Sequence, residues 1–135
     1  MTKTSFLLSL TIVFAVIVQA QAPKNKVVMV GEDGIRRSAL KTVMPVYPEV
    51  SIKRGKKGVA VVGVQYDGDG NVELVNSLEA PDEEIKNSIT EAVKQWRFKK
   101  STYRGEPLSV RGKLTFYFSI DRAGRGTVSN PRQYR

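Results

Sequence analysis

The stretch Pro81-Asp82-Glu83-Glu84-Ile85-Lys86-Asn87-Ser88-Ile89-Thr90-Glu91-Ala92-Val93-Lys94-Gln95-Trp96-Arg97-Phe98 decides the fold, because a helix start, face and stop are all legible in it. Pro81 suits a first helical position, where a missing N–H costs nothing. Asp82, Glu83 and Glu84 place negative charge beside the exposed amides of a helix N-terminus. Ile85, Ile89, Ala92, Val93 and Trp96 recur at helical period, with Lys86, Asn87, Thr90, Glu91 and Lys94 between them. That spacing predicts a helix with one buried face. Arg97, Lys99 and Lys100 supply positive charge at its end, and Gly105-Glu106-Pro107 marks the next turn. Trp96 on this stripe reads first as a core anchor and second as a platform for ligand stacking.

Working outward, Ser109 to Ile120 alternates Val110, Gly112, Leu114, Phe116, Phe118 and Ile120 with Arg111, Lys113, Thr115, Tyr117 and Ser119, the period of a half-buried strand. On the other side, Gly58 to Asp67 is β-branched on both faces, as a well-covered strand is. Asp67-Gly68-Asp69-Gly70-Asn71 is turn chemistry, and Val72 to Leu78 returns as the second strand of a hairpin. A calcium loop fails on the same residues, since Val72 stands where the loop needs Gly and Leu78 where it needs Glu. Met44-Pro45-Val46-Tyr47-Pro48 blocks regular helix, but Pro48 can open a short one that stops at Gly55. The order predicts an α+β domain: two helices packed on one face of a three-stranded antiparallel sheet. Its core is expected from Ile85, Ile89, Val93, Trp96, Phe98, Leu114, Phe116 and Phe118.

Before this unit, Lys3, the apolar run Phe6 to Val18, and the small residues Val18 and Ala20 have the layout of a secretory signal over residues 1–20. The run is short of the about 17–25 apolar residues of a spanning helix. Cleavage would leave a periplasmic chain; retention would leave one anchored in the inner membrane and facing the periplasm. Residues 21–42, with Val27-Val28-Met29-Val30 before the turn-like Gly31-Glu32-Asp33-Gly34, read as a lead-in holding a short hairpin or a loose segment. Residues 121–135 are rich in Arg and read as a basic flexible tail.

Among the 135 residues, 22 Lys and Arg stand against 13 Asp and Glu, a formal net charge of +9. The leader holds Lys3 and no acid, so the basicity belongs to the exported part and favours anionic surroundings. The absence of Cys and His removes disulfides, thiol nucleophiles, Ser-His-Asp triads and nearly all zinc chemistry. Asp67, Asp69, Glu73 and Glu106 are already used by turns and strand edges, and no nucleophile or base stands out, so no enzyme and no cofactor is expected.

Taken together, Pro45-x-Tyr47-Pro48, Gly55-x-x-Gly58-Val59-x-Val61, the Gly-rich hairpin, Ala92-Val93-x-Gln95-Trp96-Arg97-Phe98 and Gly105-x-Pro107 before an aromatic strand make a pattern. Over residues 43–120 it resembles the C-terminal domain of TonB, the periplasmic energy transducer of Gram-negative bacteria. The resemblance implies a two-helix, three-stranded unit that captures a short extended segment, the TonB box, of an outer-membrane receptor by adding it as a strand. It maps Tyr47 and Pro48 onto the family's signature, Gln95 to Phe98 onto the helix end, and Val110 to Ile120 onto the receiving strand. Ser51 and Lys100 depart from the usual Ala and Pro. A full transducer also carries a retained helix with a functional His and a long proline-rich spacer, which this sequence lacks, so the resemblance does not extend to harvesting proton-motive force, and a separate inner-membrane energising complex stands among the partners it allows.

Strand addition needs free N–H and C=O groups at a sheet edge. The expected peptide contacts are therefore Val110, Arg111, Lys113, Thr115 and Tyr117, with Tyr47 and Pro48 beside them. Arg111 and Lys113 would favour an acidic peptide, although such a track is also what a solvated face looks like, and Tyr47 reads equally as a buried ring. The same edge offers a route to a homodimer. A rival binding reading gives the charge to anionic cell-envelope polymer or lipid head groups, held loosely by Arg122, Arg125, Arg132 and Arg135. Nucleic acid is not expected, because export removes the chain from it.

Overall fold

A computed structural model describes residues 26–130. The expected signal over residues 1–20, Arg132 and Arg135 lie outside that range. The described elements are β1 (Val27–Met29), α1 (Glu32–Ser38), β2 (Ala39–Lys41), α2 (Glu49–Lys53), β3 (Gly58–Tyr66), β4 (Val72–Glu79), α3 (Glu83–Lys94), β5 (Arg97–Phe98), β6 (Thr102–Tyr103), β7 (Glu106–Pro107), β8 (Ser109–Ile120) and β9 (Gly126–Ser129).

The antiparallel trio β4, β3 and β8 makes up most of the main sheet, with β4 at one edge, Gly58 opposite Phe118 and Tyr66 opposite Val110. Its hairpin turn is held by Asp67, whose Oδ1 accepts from the amides of Asp69 at 3.0 Å and Asn71 at 2.9 Å. Short polar side chains favour such turns because they replace a backbone acceptor. Alternation sends Ala60, Val62, Val64 and Tyr66 to one face together with Val110, Leu114, Phe116 and Phe118.

α3 lies on that face with Ile85, Ile89 and Val93 fully buried. Its N-cap is Asp82, which accepts the Ile85 amide at 2.8 Å, so Pro81 precedes the cap where the sequence suggested a first helical position. Trp96 follows the helix end, 1% exposed, and its indole N–H donates to the Val43 carbonyl at 2.9 Å. It meets Phe116 edge-on, while Tyr66 stacks on Phe98 with ring centres 4.1 Å apart. A large buried aromatic with its one donor satisfied packs as a core anchor does.

The α+β class stands, but a three-stranded sheet with two helices does not. The sheet has five strands: β1 pairs parallel to β8 at Ser109–Arg111, and β9 pairs antiparallel to it at Tyr117–Ile120. A third helix, α1, buries Ile35 in the same core as α3. The described part of the lead-in, residues 26–42, therefore forms a strand, a helix and a second short strand in place of a hairpin. Its β-branched run finds a partner far along the chain, a pairing no local pattern encodes, and Gly31 serves as the N-cap of a helix where turn chemistry was expected. The segment after Ile120 is likewise not all tail. Asp121 Oδ1 accepts the amides of Ala123 and Arg125, each at 2.9 Å, and this turn returns the chain as β9. The remaining pairs are small: β2 with β5, and β6 with β7 around Arg104 and Gly105.

Candidate peptide-binding edge

β8 has two sides. One pairs along its length with β3, so the other is the side on which an added strand would lie. Ser109 donates its amide to the Lys26 carbonyl at 3.0 Å, and the Arg111 carbonyl accepts the Val30 amide at 2.9 Å, so these residues turn their peptide groups outward. The two-residue period of a strand puts the peptide groups of Lys113, Thr115, Tyr117 and Ser119 on the same side.

That outward side is covered in three pieces. β1 covers Ser109–Arg111 and β9 covers Tyr117–Ile120. Between them stands α1. The Glu32 carboxylate accepts the Thr115 amide at 2.7 Å and the Thr115 hydroxyl at 2.9 Å. Arg36 is paired with Glu32 and donates to the Thr115 carbonyl at 3.4 Å and to the Asn130 carbonyl at 3.1 Å. One ion pair thus does at Thr115 what a neighbouring strand would do, supplying an acceptor for the N–H and a donor for the C=O. Lys113 lies between these covers, opposite Gly63 of β3 on its other side and paired with neither β1 nor β9.

The fit of α1 explains Gly112. A side chain there would place Cβ 2.5 Å from Ile35 Cγ1 and 2.9 Å from the Val30 carbonyl. Only glycine lets the helix approach so closely. Gly126 does the same for β9, where a Cβ would lie 2.6 Å from Ile52 Cδ1 and 2.7 Å from Tyr47 Cδ2.

The expected contact residues divide. Arg111, Lys113 and Tyr117 project from the outer face of the sheet and are exposed. Arg111 is held by Gln65 Oε1 at 2.9 and 2.6 Å, and the Gln65 amide in turn donates to Glu73 at 2.9 Å. On this face Met29, Gly63, Leu74, Leu78, Arg111 and Lys113 line a trough of about 200 Å³. Val110 is 5% exposed and points into the core, and its peptide groups lie on the side that pairs with Tyr66 of β3, so neither its side chain nor its backbone pairing groups face the outward side. Tyr47 is a buried ring edge-on to Phe118, its hydroxyl donating to the Lys56 carbonyl. Burial first, and the Asp82 carboxylate second, raise its pKa above the usual tyrosine range. Pro48 caps α2 and is half-buried. Tyr47 thus backs β9 at Gly126 while Pro48 serves as the N-cap of α2.

Glu32 and Arg36 escaped the sequence reading. Their spacing of four, with acid in the first turn and base in the last, is a helix signal that was available; their reach to Thr115 was not.

Among the described residues no group of His, Cys, Asp and Glu is placed to hold a metal, and no helix is long and apolar enough to cross a membrane.

Residues 43–120 match the family described as Gram-negative bacterial TonB protein C-terminal. Protein TonB of Vibrio cholerae serotype O1 (strain ATCC 39315 / El Tor Inaba N16961) is 30% identical over 82 residues, 58% of this chain and 33% of that protein. The chain therefore spans about a third of the length of that curated relative. The solution NMR structure of the Pseudomonas aeruginosa TonB CTD superposes with a TM-score of 0.51 at 25% identity, over 62% of this chain and 86% of that one. With a match over more than half of its residues and a like fold in a solved relative, the chain belongs to the Gram-negative bacterial TonB protein C-terminal family.

Proposed function

We propose that this domain is a periplasmic capture module that takes an extended peptide of an outer-membrane receptor as an added strand on β8, in support of transport across the cell envelope. Membership of the TonB C-terminal family supports a TonB-like, transport-related role, and the family is not one of enzymes. The observation that carries the finer reading is the parallel pairing of β1 on β8: this edge holds a short extended segment supplied from far along the chain. Main-chain pairing of that kind provides attraction, and side-chain pockets provide choice. Arg111 and Lys113 beside it favour acidic residues in the peptide. Export, a separate inner-membrane energising complex, and the alternative of an inner-membrane anchor belong to the same proposal. So does a homodimer through β8, which would have to displace the same covers.

Titration of the isotope-labelled chain with short acidic peptides from outer-membrane receptors tests this. Amide shifts should gather on β8 and its covers. The rival role, contact with anionic polymer, predicts shifts at the exposed Arg122 and Arg125 with β8 still. Shifts confined to those residues would end the strand-capture reading.

A further inference from the structure

The three covers of β8 are not equally attached. α1 is fixed by Ile35, which is 0% exposed and seated against Gly112. β9 is fixed by Gly126 against Tyr47 and Ile52, and by Val128 packed on the core. β1 itself puts no residue in the core: Val27 is 42% exposed, Met29 is 66% exposed and Val28 is half-buried, and its nearest anchor is Val30, which packs on the core just past the strand. It is a three-residue strand held mainly by its backbone.

Resting on the capture reading above, we propose that β1 is a built-in, displaceable occupant of the Ser109–Arg111 segment, and that a short extended apolar peptide replaces it there, parallel to β8 and ending against α1. The site for a foreign strand is then this end of β8 and not the whole span from Val110 to Ile120, because α1 cannot leave without exposing Ile35. The vacated position of Met29 opens the trough lined by Leu74, Leu78 and Lys113 to one apolar side chain of the incoming peptide. A tethered strand competes at a high effective concentration, so the intact chain should bind weakly, and loosening β1 should tighten binding in proportion to the open fraction.

Two variants of the full chain and one probe test this. The probe is a synthetic peptide, Lys-Val-Val-Met-Val, the sequence of residues 26–30. The chain has no Cys, so Met29→Cys with Arg111→Cys, at positions paired across the two strands, gives a reversible lock. The Lys26 carbonyl and the Val30 amide face β8, which puts the Val28 amide on the same side, so Val28→Pro loosens β1 by deleting a pairing donor. The expected result is no probe binding when the lock is oxidised, weak binding when it is reduced, and binding about tenfold tighter in Val28→Pro. Shifts should fall on Ser109–Arg111. Without peptide, the amides of Val30 and Ser109 should exchange at least about tenfold faster than that of Thr115, since local opening needs less free energy than unfolding. Equal probe binding by the oxidised and reduced lock would overturn the proposal, as would no tightening in Val28→Pro, or exchange of Val30 and Ser109 no faster than Thr115. Receptor peptides separate the two readings. If they shift only Tyr117–Ile120, strand capture stands and this inference fails; if they bind nowhere while the probe behaves as described, the inference stands and the receptor does not.

Discussion

The Glu32 carboxylate lies 2.7 Å from the Thr115 amide, so a helical side chain closes the middle of a sheet edge that two short strands close at its ends. The amide it meets has no other route to an acceptor while α1 is seated. Glu32→Leu should therefore lower stability by about 1–3 kcal/mol, the usual cost of leaving a shielded donor unpaired. Thr115→Val keeps the amide bond and removes only the hydroxyl, so it should cost less. Urea unfolding with an unchanged m-value for both variants checks the order.

Tyr47 carries a pH dependence whose sign follows from its environment. Its hydroxyl is neutral and donates to the Lys56 carbonyl, and its folded pKa is raised, chiefly by burial. A raised folded pKa gives stability that is complete below the unfolded value of about 10 and is lost as pH climbs through the folded one. Stability should thus fall above about pH 10. Tyr47→Phe should cost about 0.5–1.5 kcal/mol at neutral pH and flatten that part of the alkaline limb. An alkaline limb of equal slope in both proteins would assign the loss to other groups.

Gly126 sets how tightly β9 can lie on β8. A Cβ there would be 2.6 Å from Ile52 and 2.7 Å from Tyr47, and both neighbours are packed. Gly126→Val should cost about 1–3 kcal/mol by overpacking. The loss should be local: amides of Ser119 and Thr127 exchange faster, while those of Val62 and Leu114 keep their order. Uniform acceleration would mean that β9 belongs to the core unit.

What was legible in the sequence was what is local. The hairpin from Gly58 to Leu78 was readable because Asp67 carries its own turn, and α3 because five apolar positions repeat at its period. The alternation of β8 gave its core face, so Leu114, Phe116 and Phe118 could be placed beside Ile89 without any structure. The same alternation says nothing about which side of the strand stays unpaired. That depends on β1 and α1 meeting β8 from far along the chain, through a parallel pairing and an ion pair whose partners sit one helical turn apart; β9, by contrast, returns through a local turn at Asp121 of the same Asp-x-x-Gly form as that at Asp67. Gly31-Glu32-Asp33-Gly34 looks like a turn because Gly and Asp favour turns. It starts a helix instead, because Ile35 gains a fully buried place against Gly112, and burial of this size outweighs a modest local preference. Gly126 and Tyr47 were each visible as residue types, but their contact is a fact of tertiary packing.

Arg111 and Lys113 allow the electrostatic part of binding to be separated from the backbone part. Both project from the outer face beside the β1 slot, but only Arg111 is held, by two hydrogen bonds to Gln65 Oε1 at 2.9 and 2.6 Å. Lys113→Glu should weaken an acidic peptide at low salt, because it exchanges attraction for repulsion across a solvated gap. The effect should shrink steeply as salt rises, since the screening length falls from about 10 Å at 0.1 M to about 3 Å at 1 M. Arg111→Glu should behave alike at low salt but keep a residue of its effect at 1 M, because it also releases Gln65 and the neighbouring Glu73 from an ordered row. An uncharged apolar peptide should bind both variants as it binds the parent, apart from that residue. Binding measured at 0.1 M and 1 M salt for the two variants and the two peptides fills the comparison. Equal, salt-independent losses for both peptides would show that these side chains act by shaping the strand, and would leave the preference for acidic partners without support.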